Sequence, residues 1–184
     1  DLAPDLLNAC AASADPTWAL TGVQEFADRK LLHRSLFQTM LEHPGASGGL
    51  ARFAGAAPWG MRVVLRYPEL ADVITDEELL QRSKDRPQFD AELTARMAAA
   101  ISHSQRLATL RRYKLREFVR LAARHVLAPV LAEAETREWS DLADALLSAG
   151  LETAVLRLRE AGRWPAENAA GFSVFALGRY GGQD

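Results

Sequence analysis

Apolar residues recur every three or four positions along most of the chain, which is the spacing of amphipathic helices. Proline and glycine interrupt the pattern at His43-Pro44-Gly45, at Pro58 and at Pro68, and each interruption predicts a helix boundary. Short helices joined by tight turns therefore fill residues 3–82 in the predicted fold. This arrangement favours an orthogonal bundle.

Four helical blocks are predicted within this region. They are a helix over 15–40, a short helix over 47–57, another over 59–67 that Pro68 stops, and one that starts at a capping box of Thr75 and Glu78. The polar stretch from Gln81 to Pro87 that follows is expected to be a loop.

Two longer helices are predicted after this loop. The first covers about 88–127, and any break in this helix is expected near Ser102-His103-Ser104. The second covers about 137–161, because Gly162 and Pro165 are residues that end helices. Residues 1–165 thus form a helical region.

The last thirteen residues have a different pattern. Phe172 to Leu177 is a short apolar run typical of a buried strand, and residues 178–184 form a glycine-rich turn. Glycine tolerates positive φ and has no Cβ, so such turns bring backbone N–H groups close to phosphate oxygens. The predicted fold is therefore mainly α, a helical bundle that leads into one strand and a glycine turn.

Composition excludes several classes of function. A formal net charge of −2 attracts neither nucleic acid nor an anionic membrane, and no apolar run reaches the roughly 20 residues that span a bilayer. Cys10 cannot form an intramolecular disulfide, and the four histidines have no metal-ligand spacing. We therefore expect a cytoplasmic protein whose phosphate site, if it has one, depends on a local arrangement of charge.

The strongest local charge lies in the first long helix. Six arginines and a lysine occupy nineteen residues that contain one acid, Glu117: Arg106, Arg111, Arg112, Lys114, Arg116, Arg120 and Arg124. One interpretation is a solvated face whose arginines cover apolar neighbours. The alternative is a basic wall beside a phosphate-bearing ligand, with Arg112, Arg116 and Arg120 as its candidate contacts.

No catalytic residue is assigned within the chain. Asp141 and Asp144 superficially resemble a metal-binding pair, but they are three apart in a helical pattern, whereas Asp-x-Asp pairs bind metal from one face of a strand. We expect them to be surface carboxylates at a helix start. Cys10 lies in an apolar helix and is expected to be a core residue, and the sequence supplies no recognisable nucleophile and base.

Several segments together resemble the glutamine synthetase adenylyltransferase and adenylyl-removing enzyme family. The strand and the turn Gly178-Arg179-Tyr180-Gly181-Gly182-Gln183-Asp184 are similar to its Gly-Lys-Leu-Gly-Gly-x-Glu turn, and Leu110–Arg124 is similar to its basic helix. Further matches lie upstream of these segments and between them, in the same order as in the family: Phe53 to Pro58, Tyr67-Pro68-Glu69-Leu70, and Leu142-Ala143-Asp144-Ala145.

The resemblance implies a nucleotidyltransferase of the DNA polymerase β-like superfamily. Residues 171–184 would begin its α/β domain, and Gly178, Arg179, Gly181 and Gly182 would bind the nucleotide. In the family, a Ser-Asp-x-Asp beyond the turn holds Mg²⁺ for reaction with ATP or ADP. This chain ends before such a motif, so it is expected to contain no metal ligand and to be inactive alone.

The resemblance also implies partners, namely glutamine synthetase and the PII signalling protein. Family enzymes contain one module that attaches AMP to a tyrosine and one that removes it by phosphorolysis. The segment from Asp15 to Phe26 is similar to the start of the amino-terminal, adenylyl-removing half, which favours that half.

Two other classes of function compete with this interpretation. The first is an all-helical interaction module whose glycine turn binds no ligand, so that residues 172–184 would be unpaired. The second is dinucleotide binding, which the spacing Gly178-x-x-Gly181-Gly182 argues against, because it matches neither G-x-G-x-x-G nor a phosphate loop.

Overall fold

A computed structural model of the chain describes residues 3–28, 44–164 and 174–176. All regular structure in these ranges is helical, as the apolar spacing predicted. The helices are α1 (Ala3–Ala11), α2 (Pro16–Asp28), α3 (Pro44–Ala56), α4 (Pro58–Arg66), α5 (Ala71–Thr75), α6 (Glu77–Gln81), α7 (Arg86–Ala98), α8 (His103–Leu127) and α9 (Ala132–Glu160), with a 3₁₀ turn at Pro68–Leu70.

The chain divides into two compact units. The first unit comprises Asp1–Arg82 and Leu115–Val130, and the second comprises Ser83–Lys114 and Leu131–Asp184. Helix α8 contributes residues to both units, its first half to the second unit and its second half to the first.

The core of the first unit is formed by α3, α4 and α5 together with α8. Phe53, Val64 and Val73 are fully buried there, and Val119 and Ala123 of α8 complete the same apolar cluster. A smaller cluster joins α1, α2 and α3: its members are Cys10, Ala19, Val23 and Ala51, with Leu6 and Ala9 packed at its edge. Burial of these side chains is the main favourable contribution to folding here.

Proline and aspartate set most helix boundaries of the first unit. Pro58 begins α4 as predicted, and Tyr67 separates α4 from the 3₁₀ turn. The predicted capping box of Thr75 and Glu78 is wrong, because the carboxylate of Asp76 accepts the hydrogen bond from Leu79 N–H at 3.1 Å. Aspartate is a better N-cap than a residue that already ends the preceding helix.

In the second unit, the predicted helix over 88–127 is two helices. Helix α7 starts two residues earlier, at a capping box in which Asp85 and Gln88 bond each other's backbone N–H groups. The chain leaves helical geometry after Ala98, and Ser102 Oγ accepts from Gln105 N–H at 3.2 Å to cap α8. A serine side chain that binds the backbone competes with helix continuation, which explains the break.

Helix α9 begins earlier than predicted and ends just before Gly162, the glycine that was predicted to end it. It begins at Ala132 rather than near Arg137, and Glu133 and Glu135 in its first turn complement the helix dipole. At its end, Gly162 adopts a φ of 63°, and Arg163 N–H donates to the carbonyl of Leu158 at 2.8 Å. This pattern is a Schellman motif, which glycine forms at little steric cost.

Within the described residues of the second unit, α7, α8 and α9 pack through buried apolar side chains. Phe89 and Leu93 of α7 and Leu142 and Ala145 of α9 are almost fully buried. Tyr113 of α8 is 2% exposed. The apolar spacing of α9 predicts that Leu142 and Leu151 both face inward. Leu142 is buried as predicted, whereas Leu151 is 43% exposed, so the prediction for Leu151 is wrong.

Two predicted segments fall largely outside the described residues. These are the second half of the helix predicted over 15–40, and the glycine turn. Of the strand predicted over 172–177, only Val174 to Ala176 are described; they have no regular structure, and Phe175 is 88% exposed. A strand is stabilised by pairing with a neighbour, and none is present among the described residues, so the strand remains a prediction.

Replacement of Gly55 by alanine is expected to destabilise the first unit. A Cβ at Gly55 would lie 2.9 Å from the backbone oxygen of Asp15 and 2.8 Å from Ser13 Cβ, so the link between α1 and α2 would have to move. We expect a loss of about 1–3 kcal/mol in the free energy of unfolding, measured by urea denaturation.

Gly45 is the matched control in the same helix, because a Cβ there would contact nothing within 4 Å. Gly45→Ala is expected to leave stability unchanged or to raise it by up to about 1 kcal/mol. Equal effects of the two substitutions would contradict the close packing at Gly55.

Candidate functional site

The four residues predicted to bind a nucleotide, Gly178, Arg179, Gly181 and Gly182, lie outside the described residues. Their role therefore remains a prediction. The described part of the predicted site is the basic stretch of α8.

The basic side chains of α8 differ widely in exposure. Arg111, Arg112 and Lys114 are exposed, and Arg106 and Arg116 are half-buried. Arg120 and Arg124 are only 1% and 5% exposed. Of the three arginines predicted to contact phosphate, Arg112 and Arg116 are accessible to solvent. Arg120 is not.

Arg120 is buried because it forms an ion pair inside the first unit. Its Nε donates to Glu117 Oε2 at 2.7 Å, and both side chains are almost fully shielded from solvent. A second nitrogen of the guanidinium donates to the backbone carbonyl of Arg82 at 3.2 Å. That carbonyl follows the end of α6, so Arg120 attaches α8 to this helix terminus.

The sequence contained a signal for this pair. Glu117 is the one acid in the basic stretch, and it precedes Arg120 by three positions, which places the two side chains together on a helix. Periodicity could not show that the pair faces inward, because charged residues are normally assigned to the solvent side.

A second buried carboxylate organises the start of α7 in the second unit. Glu138 is 2% exposed. Its Oε1 accepts from Lys84 N–H at 2.9 Å and its Oε2 accepts from Ser83 Oγ at 3.2 Å. Helix α9 thus holds the turn that precedes α7 through both oxygens of one carboxylate.

Glu92 is the centre of a neighbouring polar network. Lys84 Nζ lies 2.9 Å from Glu92 Oε1, and the Tyr113 hydroxyl donates to Glu92 Oε2 at 3.0 Å. Burial raises the pKa of Glu92, but the Lys84 ammonium, the Tyr113 hydroxyl and the Arg96 guanidinium outweigh it, so the pKa lies below its ordinary value. The carboxylate of Glu92 is therefore stabilised in its charged form.

A cavity of about 450 Å³ adjoins this region and is lined by Ser83, Lys84, Glu138 and Asp141 among others. Burial raises the pKa of Asp141, and the charges of Asp144 and Asp85 raise it further, against the effect of Arg86. Asp144 pairs with Arg86 at 3.3 Å. Both aspartates lie within α9 rather than at its start, so their predicted position at a helix start is wrong.

The described side chains do not assemble a recognisable catalytic centre. Burial raises the pKa of the Cys10 thiol, which favours its protonated form over the nucleophilic thiolate. Across residues 3–28, 44–164 and 174–176, no group of three or more His, Cys, Asp or Glu side chains could hold a metal ion. The buried charges tie helices together, whereas the exposed Arg111 and Arg112 of α8 are among the groups that could contact an anion.

None of the described helices is both long and apolar enough to cross a membrane.

Comparison with known proteins gives one consistent result. The sequence model of the family "Glutamate-ammonia ligase adenylyltransferase" matches residues 47–184. Matching proteins include bifunctional glutamine synthetase adenylyltransferase/adenylyl-removing enzymes from several bacteria, among them Burkholderia mallei, Neisseria meningitidis serogroup B and Corynebacterium efficiens.

These relatives are similar to the chain at modest identity. The Burkholderia protein is 28% identical over 145 residues, which are 79% of this chain and 15% of the relative. The Neisseria protein is 27% identical over 183 residues, or 98% of this chain and 20% of the relative. The Corynebacterium protein is 28% identical over 188 residues, which are 100% of this chain and 18% of the relative. The chain thus spans at most about a fifth of their length.

Removal of Arg120 is expected to destabilise the first unit strongly. Arg120→Met takes the ion-pair partner from buried Glu117, and we expect a loss of about 3–5 kcal/mol in the free energy of unfolding, measured by urea denaturation. The double variant Glu117→Leu/Arg120→Met removes both charges and should lose much less.

Arg111→Met is the control, because Arg111 is exposed on the same helix. It should change stability by no more than about 0.5 kcal/mol. Single and double variants of equal stability, or an Arg120→Met protein as stable as Arg111→Met, would contradict the buried pair.

The network at Glu92 predicts a pH dependence of stability. The folded pKa of Glu92 lies below its ordinary value of 4.5, so its contribution is fully present above that pH and is lost as pH falls through the folded pKa. Glu92→Gln should therefore destabilise the protein at about pH 7 and progressively less toward about pH 3.

Urea denaturation across this pH range measures the effect, and the exposed Glu25 provides the control substitution Glu25→Gln. The side-chain carbon resonance of Glu92 should also titrate at higher pH in Tyr113→Phe, which lacks the donating hydroxyl. A pH-independent difference between wild type and Glu92→Gln would show that the network does not shift this pKa.

Proposed function

Since the chain belongs to the glutamate-ammonia ligase adenylyltransferase family, we propose that it is a segment of a bifunctional enzyme that regulates glutamine synthetase. The enzyme would attach AMP to a tyrosine of glutamine synthetase and remove it by phosphorolysis. The family match over residues 47–184 carries this proposal, because it begins in α3 and continues through every later helix to the predicted glycine turn.

Nucleotide binding is assigned to the glycine turn. Gly178, Gly181 and Gly182 would let backbone N–H groups approach phosphate oxygens, and Arg179 could contact two of these oxygens at once. The full enzyme is proposed to use Mg²⁺ with ATP or ADP, held by a Ser-Asp-x-Asp motif that residues 1–184 do not contain. The 184-residue polypeptide by itself is therefore proposed to be inactive.

Helix α8 would contribute accessible positive charge. Arg112 is exposed and Arg116 is half-buried, so each can meet an anion from solvent. Arg120 has a different role in this proposal, because its guanidinium holds α8 in the first unit through Glu117 and the Arg82 carbonyl. It would support the basic helix without contacting a phosphate.

The chain is assigned to the adenylyl-removing half on one sequence feature. The segment from Asp15 to Phe26 is similar to the start of that half, and in the structure it forms α2 with its N-terminus capped by Asp15. Glutamine synthetase is the proposed target and the PII signalling protein a proposed regulator, in the cytoplasm.

An all-helical interaction module is the alternative. It is favoured by the exposure of Val174 and Phe175, which have no regular structure. In this alternative the glycine turn is a linker, and neither its glycines nor the arginines of α8 would affect any transfer of AMP.

The coding sequence downstream of Asp184 gives the first test. A Ser-Asp-x-Asp within about twenty codons, followed by an apolar run, is expected, because the pair must lie on the strand after the glycine turn to hold two metal ions. Absence of an Asp-x-Asp pair there would refute the transferase.

Activity of the longer protein gives the second test. Gly181→Val should lower the rate at which AMP is attached to or removed from glutamine synthetase by about 100-fold, because a Cβ keeps backbone donors away from the phosphate. Asparagine at both aspartates of the downstream pair should abolish the reaction. Intact mass spectrometry of glutamine synthetase measures both changes.

Arg111→Gln and Arg116→Gln form a matched pair for the basic helix. If Arg116 contacts phosphate, its substitution should lower the rate by about 10-fold or more, whereas Arg111→Gln should not.

Full activity of Gly181→Val would refute the nucleotide site in the turn. Activity of the 184-residue polypeptide alone would refute the proposed position of the metal ligands.

A further inference from the structure

A groove of about 860 Å³ lies in the second unit, and neither Arg111 nor Arg112 is among its lining residues. Its walls are α7, the first turn of α8 and the second half of α9. Its floor is apolar and includes Leu93, which is 2% exposed. Met97, Val155 and Leu156 are half-buried along it, and Leu151 is 43% exposed at its edge.

The groove is elongated. Its lining residues on α9 run from Ala145 to Arg159. Fourteen residue steps along a helix correspond to about 21 Å, or nearly four helical turns. A small metabolite would cover only part of this length, whereas an amphipathic helix of a partner protein would cover all of it.

The two ends of the groove differ in charge. At one end, the guanidinium of Arg86 is neutralised by Asp90 at 2.8 Å and by Asp144 at 3.3 Å. At the other end, Arg106 and Arg159 have no carboxylate partner among the described residues. The remaining charge that lines the groove is Glu152, so with Asp144 included the six charges sum to zero, and the positive charge is concentrated at the end beside Arg106 and Arg159.

We propose that this groove binds an amphipathic helix of a partner protein, with an apolar face along Leu93, Met97 and Leu156 and carboxylates at the end beside Arg106 and Arg159. Apolar contact with the floor would supply most of the affinity, because the floor side chains leave water on binding. The two arginines would fix the orientation of the helix, since charges at the rim of an interface select partners more than they add affinity. This role is independent of the proposed AMP chemistry.

Synthetic peptides provide the test. Two fluorescent peptides of about 16 residues share a leucine and methionine stripe; one carries glutamates at one end of the stripe and the other carries lysines there. Fluorescence anisotropy with the complete 184-residue chain should show at least about tenfold tighter binding of the glutamate peptide, and added salt should reduce the difference.

Substitutions in the groove separate charge from apolar contact. Arg159→Glu, and independently Arg106→Glu, should abolish the preference between the two peptides, because each leaves one positive and one negative charge at that end of the groove. Leu151→Glu should weaken binding of both. Arg157→Glu is the matched control, because Arg157 lies on the same helix, is 60% exposed and does not line the groove, and it should leave the preference unchanged.

Several outcomes would overturn the proposal. The first is equal binding of the two peptides, and the second is an equal effect of Arg159→Glu and Arg157→Glu. The third is a small carboxylate that NMR shows bound at the groove residues but that displaces neither peptide, because the peptides would then bind elsewhere. Concentration-dependent dimerisation that Leu151→Glu abolishes would assign the groove to a second copy of the chain. Circular dichroism identifies unfolded variants, and Arg159→Glu keeps the test decisive if Arg106→Glu does not fold, because Arg159 is exposed.

Discussion

The buried ion pair of Glu117 and Arg120 is the interaction that fixes the position of α8 in the first unit. Two charges lose their hydration when they are buried, and only close hydrogen bonds repay this cost. Here the pair is short, and the guanidinium also reaches the backbone carbonyl of Arg82. The register of α8 follows from this link, because rotation of the helix would leave a buried charge without its partner. Val119 and Ala123 then meet the apolar cluster from the same helix.

The second unit uses buried or partly buried carboxylates in a similar way. Glu138 holds the turn before α7 by accepting from Ser83 and from the backbone of Lys84, and Glu92 holds the Lys84 ammonium and the Tyr113 hydroxyl. Such groups tolerate few alternative partners, so they specify which helices pack together. Many charges of this chain are therefore structural, and a count of basic and acidic residues overstates the number available for ligands.

This distinction bears on the proposed enzyme. The basic helix is a feature of the family resemblance, yet only part of its charge is accessible: Arg112 and Arg116 can meet an anion, whereas Arg120 maintains the scaffold. The helices thus have two roles in the proposal, to support the glycine turn and to present a few arginines. The groove on the second unit would add a third role, contact with a partner, through side chains that neither of the other roles uses.

The sequence by itself determined the helical class, the proline and glycine boundaries such as Pro58 and Gly162, and the family, because these depend on local backbone preferences and on ordered motifs. It named Ser102-His103-Ser104 as the place where the first long helix would break, and α8 begins there. It did not determine that the helix breaks at all, since Ser102 has the same local pattern whether it caps a helix or lies inside one. Nor could it assign Arg120 to the interior or Leu151 to the surface. Those positions were decided by tertiary structure, because burial depends on which helix packs alongside, and that information is absent from the periodicity of any single segment.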